Sequence, residues 1–243
     1  LDDTLIIYIS GDNGSSAEGS PNGTPSEVMQ FNGVELPVDK QMKWYDAWGT
    51  DETYPHMAVA WTWAFDTPFK WTKQIPAFFG GTRQGMAISW PGHIIDNGGI
   101  REQFGHVIDI VPTLLEVTGI PAPRMVDGVA QKPMDGVSLA YTFDKANAKA
   151  PSRHKTQYFE MMGHRSIYHD GWKAVCPWPG TSFAEGQPFG TPIPAEKLTE
   201  LDANHWELYH VAEDFAENYN IAADHRAKLI EMIAQWYVEA GKY

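Results

Sequence analysis

The chain has 243 residues, 43% hydrophobic and 13% aromatic, enough apolar matter for a substantial core and too much for general disorder. Aspartate and glutamate number 31 against 18 lysine and arginine, a formal charge of −13, which excludes nucleic acid as a partner and argues against membrane binding by charge. No apolar run approaches bilayer length, and the single cysteine, Cys176, rules out an internal disulfide while leaving the compartment, cytoplasmic or periplasmic, open.

The opening LDDTLIIYIS has no basic leader region, and Leu5 to Ile9 is an unbroken apolar run, the pattern of a strand covered on both faces. Because the first residues already enter a core strand, the chain is expected to be a fragment of a longer protein. Ser15 to Pro25 reads as a loop, and Val38 to Trp48 as the place of a short helix inside an aromatic-rich stretch, residues 28–66. Gly85 to Trp90 is a second apolar strand. The run GHVIDIVPTLLEVT predicts a helix from Ile108, with Asp109 as N-cap, Pro112 in the first turn and Gly119 as its stop. Strand, turn and helix in this order indicate an α/β domain over residues 1–150.

A polar, alanine-rich linker follows at Lys145 to Lys155. Beyond it, Gln157 to Met162, Ser166 to His169, Trp172 to Val175 and Trp206 to Val211 read as short strands, with a hairpin turn at Asp170-Gly171 and a Pro/Gly-rich loop at Pro177 to Pro194. Asp224 to Ala240 is the clearest helix, its expected apolar stripe being Leu229, Ile230, Ile233, Trp236, Tyr237 and Ala240. Residues 151–243 are thus expected to form a small antiparallel sheet packed with a C-terminal helix.

The stretch Ser10-Gly11-Asp12-Asn13-Gly14 admits two readings. Asn-Gly is a strong hairpin-turn signal, but adjacent aspartate and amide oxygens at the end of a strand also suit a hard cation. The residues that follow, Ser15-Ser16-Ala17-Glu18-Gly19, break the spacing of an EF-hand loop.

Four further blocks follow in order: TPFKWTK (67–73), FGGTRQGMAISWPG (79–92), HVIDIVPTLLEVTGIP (106–121) and WELYHVAEDFAENYNIA (206–222). With the Asp-Asn-Gly strand end, this succession resembles the C-terminal half of the sulfatase family, arylsulfatases in particular, whose fold is alkaline-phosphatase-like. The resemblance implies that Asp12 and Asn13 hold a divalent cation, Ca²⁺ or Mg²⁺, and that Lys73 contacts the sulfate of a small sulfate-ester substrate. A cation and an ammonium group there would offset the charge on the sulfate oxygens as the ester bond breaks. His106 and His56 are weaker substrate-binding candidates beside the reading of each as a packed, hydrogen-bonded histidine.

The family's nucleophile is a formylglycine made from the cysteine of a short C-x-P-x-R motif. Cys176, in AVCPWPG, lacks the arginine. The family's first aspartate pair is also missing, since Asp2-Asp3 precede a strand rather than follow one. Both features are expected on an N-terminal half of the same enzyme, without which the chain is expected to be inactive. Two other readings stay open: a phosphatase or phosphonate hydrolase of the same superfamily, and a non-catalytic interaction domain derived from a sulfatase.

Overall fold

A computed structural model of the chain describes residues 1–11, 13–178 and 193–243, with side chains left undescribed at 202 and 203. Asp12 and most of the expected Pro/Gly-rich loop lie outside the described residues. In chain order the regular elements are β1 (Ile6–Ser10), α1 (Glu27–Phe31), α2 (Val38–Gln41), α3 (Val59–Asp66), β2 (Gly85–Ser89), α4 (Ile110–Thr118), β3 (Met125–Val126), β4 (Val129–Ala130), β5 (Thr156–Met161), β6 (His164–His169), β7 (Trp172–Cys176), α5 (Ala195–Asn204), β8 (Glu207–Tyr209) and α6 (Arg226–Ala240). They form three sheets: β1 with β2, β3 with β4, and a four-stranded sheet in the order β5-β6-β7-β8. The chain divides into two compact units. One comprises Leu1–Ile9, Met86–Gln157 and Tyr168–Asp170; the other comprises Ser10–Gly85, Tyr158–Ile167 and Gly171–Tyr243.

In the first unit, α4 begins after a single 3₁₀ turn, Val107–Asp109, so the helix expected from Ile108 starts slightly later. Asp109 holds the N-cap position of α4, as expected, but its side chain makes no cap hydrogen bond to that helix; it acts one turn earlier, where His106 caps the 3₁₀ turn. Its ring accepts from the Ile108 N–H, while the Asp109 carboxylate accepts from the His106 N–H, a reciprocal arrangement that satisfies two otherwise orphaned donors. Gly119 ends the helix in the left-handed region. The expectation that β1 is covered on both faces fails: of its five residues only Ile7 is shielded, and Ile6, Tyr8 and Ile9 are exposed. An unbroken apolar run reports a tendency to be buried, but β1 has a single partner strand among the described residues.

In the second unit the core is built by Ile167, Ala174, Cys176, Trp206 and Leu208 from the sheet and its approach, Leu201 from α5, and Leu229, Met232 and Trp236 from α6. The buried stripe of α6 recurs at i, i+3 and i+7, as an amphipathic helix requires. Fully burying each such side chain contributes about 1.5–3 kcal/mol. Met232 takes a place the sequence pattern assigned to Ile230 and Tyr237, which are exposed. The hairpin turn at Asp170-Gly171 is present, with φ of 45° and 88°; two successive positive values are what a two-residue turn between twisted strands needs.

Candidate active site

After β1 the chain does not fold back as a two-residue hairpin, for β1 pairs with β2, far along the sequence. It instead runs into a loop that meets the lysine segment. Gly14, at φ 80°, lies so close to Gly80 that a methyl group in place of its hydrogen would sit 1.8 Å from the Gly80 carbonyl oxygen and 3.0 Å from the Lys73 nitrogen. The Lys73 N–H donates to the Ser15 carbonyl at 3.0 Å, and the Gly80 N–H donates to the Lys70 carbonyl at 3.1 Å. Three segments, 14–15, 70–73 and 79–81, therefore meet backbone to backbone, so that the Lys73 backbone lies against the residues that follow Asn13.

Helix α3 clamps this turn from behind. Its two buried residues, Thr62 and Asp66, lie four apart and so share a face. The Asp66 carboxylate accepts from the Ser15 N–H at 2.9 and 3.2 Å, and the Thr62 hydroxyl donates to the Ser16 carbonyl at 2.5 Å. Burial pushes the Asp66 carboxyl up from its ordinary pKa, partly offset by the Ser15 hydrogen bonds. On another side Glu18 accepts from the Gln74 amide and from the Ser16 hydroxyl at 3.1 Å, and it faces His56 Nε2 at 3.4 Å. His56 Nδ1 is buried without a hydrogen-bond partner among the described residues. His56 thus reaches the site's periphery through Glu18 and Gln74.

Beneath the Gly80-Gly81 turn lies a buried ion pair. Lys173 and Glu217, both fully buried, meet at 2.7 Å, and the second Glu217 oxygen accepts from the Phe79 N–H at 2.7 Å. Arg83 stacks its guanidinium 4.0 Å from the Phe215 ring centroid, which makes it an anchor of the same underlayer. Lys70 turns away from the turn, donating to the Tyr209 hydroxyl at 2.9 Å across the Tyr209 and Phe78 rings. Of the two lysines of TPFKWTK, Lys70 is thus committed to the core side.

His106 belongs to a separate group in the other unit. There Asp109 is fully buried and accepts from the His106 and Val137 N–H groups at 2.8 and 2.7 Å, while His154 Nδ1 lies 2.8 Å from the same carboxylate. Burial pushes His106 below the ordinary histidine pKa. Burial also opposes charge on His154, but the Asp109 carboxylate prevails and holds it above its ordinary value. Cys176 is buried in the core, its Sγ 3.7 Å from the Leu201 carbonyl, which bars it from meeting a substrate.

The described residues do not by themselves make a cation site. Among them no three His, Cys, Asp or Glu side chains cluster to hold a metal, and the described part of the turn offers only the Asn13 amide. A hard cation such as Ca²⁺ takes about six to eight oxygens, far more than this turn supplies.

Several residues of the site escaped the sequence reading. Asp66 stands one residue before the TPFKWTK block, and Glu217 lies inside the last block, so both sat within recognisable stretches without a local pattern marking their role. Glu18 and Gln74 carry no local signal at all, and neither does His154 in the separate group around Asp109.

The described residues form a mixed fold of helices and sheets, with antiparallel pairing of β3 with β4 and of β7 with β8. The sulfatase family model matches residues 1–120. An uncharacterized sulfatase of Schizosaccharomyces pombe is 27% identical over 98% of this chain and 38% of its own length. The N-acetylgalactosamine-6-sulfatase of Mus musculus is 27% identical over 64% of this chain and 29% of its own. A solved structure concerned with glycosaminoglycan metabolism by Bacteroides thetaiotaomicron superposes on 89% of this chain and 44% of that one, with a TM-score of 0.50 and 18% identity. By these matches the chain is similar to the sulfatase family, and it spans about a third of the length of the curated relatives it matches.

Proposed function

We propose that this chain is the C-terminal part of a sulfuric ester hydrolase that cleaves aryl sulfates, and that its Asn13 turn and Lys73 loop form one side of the pocket for the ester's sulfate group. The observation that carries the reading is the backbone junction of Gly14, Ser15 and Lys73, in which the Lys73 N–H donates to Ser15 at 3.0 Å. A lysine is a compact charge with three donors, suited to a tetrahedral oxyanion. Held in place before the reaction, it offsets the charge that grows on the sulfate oxygens as the ester bond breaks, at no cost of reorganisation. Asp12 and Asn13 would contribute two oxygens to a divalent cation, Ca²⁺ or Mg²⁺, whose remaining ligands, like the formylglycine nucleophile, lie on an N-terminal half of the same enzyme. On this reading the 243-residue chain alone lacks turnover.

The test uses the full-length protein and 4-nitrophenyl sulfate. Lys73→Ala is expected to lower kcat/KM on the order of 10²-fold or more, the scale of removing one preorganised oxyanion donor, with the melting temperature preserved. Turnover unchanged by Lys73→Ala overturns the assignment, and faster turnover of 4-nitrophenyl phosphate than of the sulfate overturns the reaction class.

A further inference from the structure

Resting on the function proposed above, we infer that Trp71 is the platform on which the aromatic ring of a small, singly charged aryl sulfate stacks while Lys73 meets its sulfate. Trp71 has φ 65°. A left-handed backbone is unfavourable for an L-residue, and in a bulky side chain it is a true outlier. Such strain persists only where the surroundings impose it, and here they can be named. Gly80 lies against the Trp71 carbonyl so tightly that a methyl there would sit 2.1 Å from the oxygen. The indole stacks on the buried Phe78 ring, centroids 6.3 Å apart and planes at 22°. Gln74, at φ 75°, bends the loop again on the other side of Lys73.

The result of this strain is an aromatic ring held out rather than in. Trp71 is 53% exposed, although the residues just beyond it, Ile75, Ala77, Phe78 and Phe79, are all buried. Stability alone gives no reason to fix an indole half in water on a strained backbone, since asparagine tolerates this conformation better. Two residues of chain span at most about 7 Å, so the backbones of Trp71 and Lys73 lie within a distance that a sulfate and one attached ring can bridge. An aromatic face stacks favourably on another aromatic ring. A sugar ring would ask for partners to its hydroxyls, yet the nearby carboxylate, Glu18, is already engaged by Gln74, Ser16 and His56. Charge narrows the class further. Residues 10–85 carry nine acidic against five basic side chains, within a chain of net charge −13. That field disfavours a multiply sulfated polymer and tolerates a monoanion.

The test is calorimetric titration of the full-length protein with phenyl sulfate, methyl sulfate, galactose 6-sulfate and inorganic sulfate. Trp71→Ala is expected to weaken phenyl sulfate about three- to tenfold, the scale of one aromatic stacking contact, and to leave methyl and inorganic sulfate within about 1.5-fold. Trp71→Tyr should restore phenyl sulfate binding, and Trp71→Gly, which removes the ring and the backbone strain together, should repeat the selective loss in a variant whose melting temperature is not lowered by strain. Lys73→Ala should weaken all four ligands alike. A Trp71 effect equal on all ligands, no effect, or a larger loss for galactose 6-sulfate than for phenyl sulfate overturns the aryl platform while the Lys73 dependence stands. If no sulfated ligand binds, or if Lys73→Ala changes nothing, the proposed function falls and takes the platform with it.

Discussion

The ion pair beneath the Gly80-Gly81 turn gives the sharpest stability expectation. Replacing Glu217 by Gln removes the carboxylate that faces Lys173 at 2.7 Å while keeping an oxygen that can accept from the Phe79 N–H. Lys173 and Glu217 are both fully buried, so the lysine left behind has neither solvent nor counter-charge. Burial already depresses the Lys173 pKa, opposed by the Glu217 carboxylate. Breaking one side of a buried pair costs about 3–5 kcal/mol, because an uncompensated charge remains. At about 2–4 °C per kcal/mol for a chain of this size, the melting temperature should fall by about 6–20 °C.

The same variant should damage the site, since Glu217 holds the residue that opens the turn on which Gly14 rests. Lys173→Met alone should be comparably harmful. The double variant Lys173→Met/Glu217→Gln removes both charges and keeps an acceptor for Phe79, and it should recover most of the loss, because buried pairs are often matched by apolar replacements. Urea unfolding of the four proteins completes a double-mutant cycle. A Glu217→Gln cost below about 1 kcal/mol, or a double variant no better than the worse single one, would refute the argument that uncompensated charge, rather than lost packing, dominates.

Two further expectations follow from burial. Gly14→Ala should destabilise the chain by about 2 kcal/mol or more, combining left-handed strain with the 1.8 Å approach to Gly80, and thermal melting of the variant checks it; a variant as stable as the parent would show that this junction is not tightly packed. His164, only 6% exposed, has its pKa pushed down to about 4 by burial. A histidine lowered on folding leaves stability intact above about pH 6.5, and stability is lost as pH falls through 4 because the unfolded chain protonates first; at about 1.36 kcal/mol per unit the loss reaches about 2–3 kcal/mol. His164→Gln, whose amide oxygen can still accept from the Trp178 N–H, should flatten that part of the urea-midpoint profile between pH 7 and 4, and an unchanged profile would remove His164 as its cause.

What the sequence revealed and what it hid divide by distance along the chain. Turn chemistry is local, so Asp170-Gly171 and Gly119 could be placed from two or three residues each. Helical periodicity is nearly as local, so α6 emerged with close to its observed bounds, while the choice between Ile230 and Met232 depended on what packs against it. The clamps of the site are not local at all. Asp66 grips Ser15 from 51 residues away, and Glu217 grips Phe79 from 138. No periodicity or motif spacing encodes such a pairing, which becomes visible only once the fold has brought the two segments together.

Gly14 shows how one residue can mislead for a physical reason. Asn-Gly marks tight hairpins because glycine accepts a positive φ, and Gly14 does have φ 80°. Yet the strand before it pairs with β2 rather than with a strand just after the turn. What the structure uses is glycine's second property, the absence of a side chain, which lets the backbone of this turn approach Gly80 and Lys73 more closely than any other residue would permit. The local signal was right about the conformation and silent about its purpose. The two uses separate experimentally: asparagine tolerates a positive φ better than alanine does but carries a Cβ in the same place, so if close approach is the requirement, thermal melting should find Gly14→Asn as destabilised as Gly14→Ala, and a clear recovery with asparagine would make conformation the reason for the glycine.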